Sequence, residues 1–236
     1  MRILGIAGGI GCGKSRVASE LAAKYRVPVI DADRLGHELW NEPEIVRMAV
    51  HRWGNEILAG DGTVDRRRIA QIVFAGTPES DVEREWLNAL MRPTLNQRLT
   101  ETLRRMESER VKWVILDAAL LFEAGWDQVC DAIVFVDATP ERRFERWKQR
   151  EETRGIHRSE AESRAEWERR ERAQWAPDRK RKLANFLFTN DARNSVNLPA
   201  MESLWEQFVT GKFPECEKNS RPRVIRGVET SPEDRV

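Results

Sequence analysis

The 236-residue chain has only three cysteines, Cys12, Cys130 and Cys216. They are widely spaced, odd in number and form no CxxC pair. That argues against a disulfide framework and a thiolate zinc site, and suits a reducing compartment. No apolar run approaches the ~20 residues that a membrane-spanning helix needs. Glycines interrupt the first apolar stretch before it takes on the layout of a secretion signal. Net charge is nearly absent too: forty Lys and Arg against thirty-nine Asp and Glu leave +1, so no global field advertises a nucleic acid or a membrane surface as partner. No internal repeat is apparent. The expectation is a cytoplasmic protein with one folded core and an inserted subdomain.

What is present begins at the N-terminus. Residues 5–15 read Gly-Ile-Ala-Gly-Gly-Ile-Gly-Cys-Gly-Lys-Ser, and within them Gly8, Gly13, Lys14 and Ser15 satisfy G-x-x-x-x-G-K-[ST], the P-loop signature. Residues 2–7 before it read as a short buried strand. Residues 15–25 after it read as a helix with Val17, Ala18, Leu21 and Ala22 on one face. Glycines let backbone N–H groups close around phosphate oxygens, and the helix N-terminus adds partial positive charge. Lys14 then reaches the β- and γ-phosphates of a nucleotide, and the Ser15 hydroxyl ligates Mg²⁺.

Further strands are predicted at 27–30, 111–117, 131–137 and 186–189, alternating with helical stretches, which points to an α/β fold with a parallel sheet and helices on both faces. Residues 34–108 read as mostly helical. Thr139-Pro140-Glu141 opens another helix, with Pro in its first turn. Residues 141–182 hold fifteen Lys/Arg and ten Asp/Glu with few apolar anchors. A closing helix is expected at 198–209, and a disordered tail from residue 211 to 236. In open α/β sheets ligands bind beyond the carboxyl ends of the strands. Asp31, Asp33 and Asp117 fall there. One such carboxylate suits proton abstraction and another the hydration shell of Mg²⁺, while helix capping is the structural alternative for each.

The ordered set of motifs resembles the dephospho-CoA kinase family. The P-loop run is followed by Val29-Ile30-Asp31-Ala32-Asp33, then by Gly62-Thr63-Val64-Asp65-Arg66 with Ile72-Val73-Phe74, then by Leu116-Asp117-Ala118-Ala119-Leu120-Leu121-Phe122-Glu123. Arg146 and Arg150 sit like the family's lid arginines. Arg170, Gln174, Lys180, Arg181, Lys182, Leu183, Ala184 and Asn190 match its closing motif. The likeness spans about residues 2–209. It implies a three-layer P-loop NTPase core (residues 1–33, 109–140 and 185–210), a helical substrate-binding insertion at 34–108 and a helical lid at 141–184.

The implied activity is transfer of the γ-phosphoryl group of ATP, with Mg²⁺, to the ribose 3′-hydroxyl of dephospho-CoA. By matching positions, Asp33, Lys14 and Arg150 become the catalytic candidates, with Asp33 as general base. ATP falls to Gly8, Gly9, Gly11, Cys12, Gly13, Lys14, Ser15, Arg16 and Arg146. The acceptor falls to Asp31, Arg66, Arg92, Leu121 and Glu123, and the metal to Ser15 and Asp117. No nucleic-acid or membrane partner is implied. A different P-loop kinase, or a nucleotide-dependent regulator that binds nucleic acid through the basic lid, are the competing readings.

Four departures from the family pattern stand out. Ala119 replaces a usual Pro, and Arg92 precedes Pro93 where His is usual. Cys12 replaces a common Ser, and beside a helix N-terminus a lowered thiol pKa is expected, so that oxidation or alkylation would block ATP. The stretch from Arg150 to Gln174 is longer than the family spacing, and neither it nor Trp167 and Trp175 receive a role from the sequence.

Overall fold

The computed structural model describes residues 1–191 and 197–216. Five parallel strands form one sheet: β1 (Arg2–Gly8), β2 (Val29–Asp31), β3 (Trp113–Asp117), β4 (Ala132–Asp137) and β5 (Phe186–Thr189), in the order β2-β3-β1-β4-β5. The apolar, β-branched runs of β1, β3 and β4 suit strands covered on both faces. The chain leaves β1 toward β2 on one side and β3 toward β4 on the other, so the crevice lies between the carboxyl ends of β1 and β3. Register fixes what projects there: Ile6 and Asp31 both lie opposite Asp117. Two of the expected site residues, Asp31 and Asp117, are thereby brought to one edge by strand pairing alone.

Two helices close one face of the sheet. α1 (Lys14–Tyr25) buries Val17, Ala18 and Leu21, and α9 (Leu198–Thr210) buries Met201, Leu204, Trp205 and Phe208. Both meet Leu4, Ile6, Val134 and Phe188 in a single apolar cluster. The other face carries Ile3, Leu116, Leu121 and Phe135 against Leu99 and Leu183. Leu99 belongs to α5 (Pro78–Ser108), a 31-residue helix opened by a reciprocal capping box between Thr77 and Ser80. α5 runs through Pro93, which has no N–H for the carbonyl four residues earlier.

The expected helical region is filled by α2 (Ala32–Glu38), α3 (Pro43–Trp53), α4 (Arg66–Val73) and α5. Asp31 caps α2 and Asp65 caps α4, each with its carboxylate on a first-turn N–H. Ala49, Ile57, Ile69 and Val73 give this region an apolar cluster of its own.

Beyond β4 come α6 (Pro140–Thr153), α7 (Glu160–Arg172) and the short α8 (Pro177–Lys182). The few apolar residues in this charged stretch are concentrated rather than scattered. Phe144, Trp147 and Trp167 are buried together, and Ile10 from the loop after β1 packs against them. Trp167 meets Phe144 edge-on, with 5.8 Å between ring centroids. Trp175 is stacked by the Arg179 guanidinium at 3.3 Å and packs under the second face of the sheet.

Residues 211–216, expected as the start of a disordered tail, are held against the sheet edge. Phe213 packs on Phe186, and Asn185 Nδ2 donates to the Pro214 carbonyl at 2.8 Å. The rest of that expected tail, residues 217–236, lies outside the described residues. Among the described residues no helix is long and apolar enough to cross a membrane.

Because α7 is joined to α6 by so small an apolar cluster, Trp167→Ala is expected to remove about 3–5 kcal/mol from that pairing. Amide exchange across α7 should then accelerate by ~10²-fold or more while α1 and β1 keep their protection. Uniform acceleration throughout the chain, or none in α7, would show that Trp167 does not anchor the helix.

Candidate active site

The loop from Gly8 to Gly13 turns between β1 and α1 through two left-handed glycines, Gly11 at φ 79° and Gly13 at φ 88°. Neither tolerates a side chain, since a Cβ on Gly11 would collide with the Arg143 carbonyl and one on Gly13 with Asn190 Nδ2. The loop is braced from several elements. Asn190 Nδ2 and Arg146 Nη1 donate to the Cys12 carbonyl at 2.9 and 3.2 Å. The Ile10 N–H donates to Glu171 Oε1 at 2.9 Å, and Glu171 Oε2 pairs with Arg143 Nη1 at 2.6 Å. Gly8 and Gly9 are equally crowded, by Cys12 and Arg143 respectively.

Lys14 starts α1 and reaches across the crevice. Its Nζ lies 2.8 Å from Asp33 Oδ2 and 3.1 Å from Asp117 Oδ1. Burial alone would push this ammonium down, but the two carboxylates outweigh it and hold Lys14 above lysine's ordinary value. Asp117, whose side chain is 3 % exposed, is pushed upward chiefly by burial, against the opposing pull of Lys14 and a hydrogen bond with Ser15. Asp33 is more open; its Oδ1 accepts from the Ala119 N–H at 3.3 Å. Ser15 and Asp117, the pair expected to hold a metal, share a hydrogen bond, and no cluster of three or more His, Cys, Asp or Glu that could hold an ion occurs among the described residues.

The two arginines of α6 expected at the nucleotide differ in their surroundings. Arg146 lies on the loop, as above. Arg150, one turn further along α6, has no hydrogen bond or ion pair among the described residues. Surrounding protein and the positive charges of Arg154 and Arg170 bring its guanidinium below the usual arginine value, while Glu151 and Asp33 pull the other way. Arg16 is exposed on the first turn of α1.

Arg66 is placed away from the loop, in a cleft of about 540 Å³ that it lines with His37, Trp40 and Val64. His37 connects the two regions. Burial and then the Arg66 charge lower its pKa, and Asp33 and Asp31 oppose them. Its position four residues after Asp33, on the same face of α2, was the signal that sequence reasoning passed over. Arg92 is exposed on α5.

Two residues expected at the acceptor are turned inward, and one expectation, about a thiol, is corrected. Leu121, expected to touch the acceptor, is fully buried under β1, where its Cδ1 lies against Gly5; Leu120 is the exposed member of the pair. Glu123 is turned inward, with Oε1 paired to the buried Lys180 at 2.7 Å and accepting from the Trp175 N–H at 2.9 Å. Cys12 does not have a lowered pKa: complete burial raises it to about 11, despite a hydrogen bond and charge from Lys14. Lys180 also donates to the Ala119 carbonyl and to Gln174 Oε1. Lys180 and Asn190 were visible in sequence only as members of a motif, without a role.

The family model for dephospho-CoA kinase matches residues 2–195. The chain belongs to the dephospho-CoA kinase family. A dephospho-CoA kinase of Dehalococcoides mccartyi is 31 % identical over 86 % of this chain and 98 % of its own length. One of Parasynechococcus marenigrum is 36 % identical over 80 % of this chain and 87 % of its own. A crystal structure from Thermus thermophilus shares 32 % identity with a TM-score of 0.67, covering 89 % of this chain and 97 % of that one. Family membership makes the chain a kinase on a P-loop fold.

Cys12 supplies a direct check on the electrostatics of the loop. With a buried thiol held near 11, iodoacetamide at pH 8 should leave Cys12 of the native protein unmodified while the more accessible Cys216 is labelled, as read by peptide mass. Labelling of Cys12 at a rate comparable to Cys216 would contradict the burial that sets its pKa.

Proposed function

We propose that this kinase transfers the γ-phosphoryl group of ATP to the ribose 3′-hydroxyl of dephospho-CoA, giving CoA and ADP. The observation that carries the reading is Lys14 poised between Asp33 and Asp117 at the β1–β3 crevice, in a chain of this family. The residues fit an anionic nucleotide. The loop is closed to any Cβ at Gly11 and Gly13, a helix N-terminus lies beside it, and Arg150 is a cation with no ion pair among the described residues. Arg146 holds the loop itself, and Arg16 and the backbone of Gly8, Gly9 and Cys12 complete the nucleotide side.

Phosphoryl transfer asks the protein mainly for position and charge. Lys14 draws toward the phosphates as they enter, which frees Asp33 from its ion pair. Asp33, steadied by the Ala119 N–H, then accepts the proton of the attacking hydroxyl. Arg150 offsets charge on the transferred group from the lid side. Ser15 and Asp117 would hold Mg²⁺, which supplies charge neutralisation and in-line geometry when bound. The cleft at Arg66, with His37 at its inner end, takes the anionic portion of the acceptor, and Asp31 and Arg92 border the same helical insertion. Residues 34–108 then act as the acceptor-binding region and 141–184 as the lid.

The test is turnover of purified protein with ATP and Mg²⁺, comparing dephospho-CoA, adenosine, AMP and no acceptor, with products weighed by mass spectrometry. One phosphoryl group gained on dephospho-CoA alone is the expected outcome, and turnover on another acceptor would replace this substrate. Asp33→Asn is expected to lower kcat by about 10²–10⁴-fold, the usual worth of a general base, with ATP binding changed by less than about threefold. A near-normal kcat would remove Asp33 from that role.

A further inference from the structure

The long charged stretch of the lid makes contacts that the phosphoryl-transfer reading leaves unused. Residues 9–11 of the P-loop meet the lid at three successive positions. The Arg143 guanidinium lies against Gly9, and the Arg143 carbonyl lies against Gly11. Between them Ile10 sends its side chain into the Phe144–Trp147–Trp167 cluster and its N–H to Glu171 Oε1 at 2.9 Å.

Glu171 is the last acidic residue of α7, and its second oxygen neutralises Arg143 at 2.6 Å. Arg143 is 7 % exposed and also lies over the Trp167 ring at 5.2 Å. A buried cation needs such a counter-charge, because attraction at close range must offset the cost of taking both charges out of water. The result is a neutral clamp with one hydrogen bond aimed at the loop backbone.

We propose that Glu171 is a positioning residue for ATP: through Ile10 and Arg143 it sets the conformation of the P-loop. This gives the extended lid a task on the nucleotide side, and it rests on the reading that ATP occupies the loop. A loop whose outer half wanders presents its inner N–H groups to phosphate less often, and affinity falls in proportion to the competent fraction. A hydrogen bond to a charged acceptor is strong enough for its loss to matter about tenfold. Because Glu171 touches neither the transferred group nor the acceptor in this arrangement, the effect belongs to binding and not to the chemical step.

The experiment measures ATP affinity by calorimetry without acceptor, kcat at saturating ATP, and amide exchange at Ile10. Glu171→Ala should raise the Kd for ATP about tenfold and expose the Ile10 amide to exchange, with kcat within about twofold of wild type. Glu171→Gln keeps one acceptor oxygen and retains the apolar cluster, so it should fall between the two and serves if the alanine variant unfolds. An unchanged Kd in a folded variant with a freely exchanging Ile10 amide would overturn the proposal. So would tighter ATP binding, which would make Glu171 a competitor of phosphate. Absence of ATP binding by the wild-type protein would overturn the nucleotide reading itself, an outcome separate from the failure of Glu171 alone.

Discussion

The Lys14 ammonium is the point on which the rest of the structure depends. It begins the helix after the loop, yet its two partners come from the first turn of α2 and the end of β3, 19 and 103 residues away in the chain. One cation between two carboxylates offsets the repulsion between the open Asp33 and the buried Asp117. The same arrangement is unstable toward a more highly charged visitor. A polyphosphate offers Lys14 more negative charge than Asp33 does, and Asp33 is the more exposed and more easily released partner. On the proposed reading, the ion pair masks Asp33 until nucleotide draws Lys14 away.

Strand register and two apolar faces make that meeting reproducible. Asp31, Asp117 and Ile6 are level because β2, β3 and β1 pair in parallel without a slip, and a slip of one residue would turn every buried side chain to the wrong face. The Ala119 peptide adds a second support: its N–H holds Asp33 and its carbonyl is held by Lys180, which is itself neutralised by Glu123. Glu123 thus serves the site from within the protein, although its motif had suggested contact with the acceptor. The Ala119 N–H is available because proline is absent at that position.

What could be seen in the sequence was whatever is local. Gly13, Lys14 and Ser15 lie within one turn, and the strand-end aspartates are marked by their position after apolar runs, so the loop and the acidic edge were legible. The α/β alternation was equally plain, down to β4 and β5. Leu121 was misjudged because adjacent leucines cannot be ranked for burial until the turn that carries them is known. Cys12 was misjudged because its neighbours in sequence suggest a helix terminus, while its neighbours in space bury it beneath Gly8 and Val136. Trp167 had no periodic apolar partners nearby; its partners are on α6 and in the P-loop. Phe213 likewise looked like part of a polar tail until β5 was there to receive it. In each case the missing information was a long-range contact.

The charged lid shows the same division between local pattern and spatial outcome. By composition residues 141–182 look like a basic surface. In the structure the charges are largely taken up in pairs: Arg142 with Glu145, Arg143 with Glu171, Lys148 with Glu160, Arg158 with Glu151, and Arg169 and Arg170 with Glu166. The Arg142–Glu145 and Lys148–Glu160 pairs are exposed and contribute little to stability, while Glu151, Glu166 and Glu171 pair from half-buried or buried positions; together they cancel the field of the segment. Against that neutral background an arginine without a pair acquires meaning. Arg150 has no hydrogen bond or ion pair among the described residues, and its surroundings, with the charges of Arg154 and Arg170, hold its guanidinium below the usual arginine value. The acidic residues of this segment thus take up many of its cations, and on the proposed reading Arg150, without an ion pair among the described residues, stays available to phosphate.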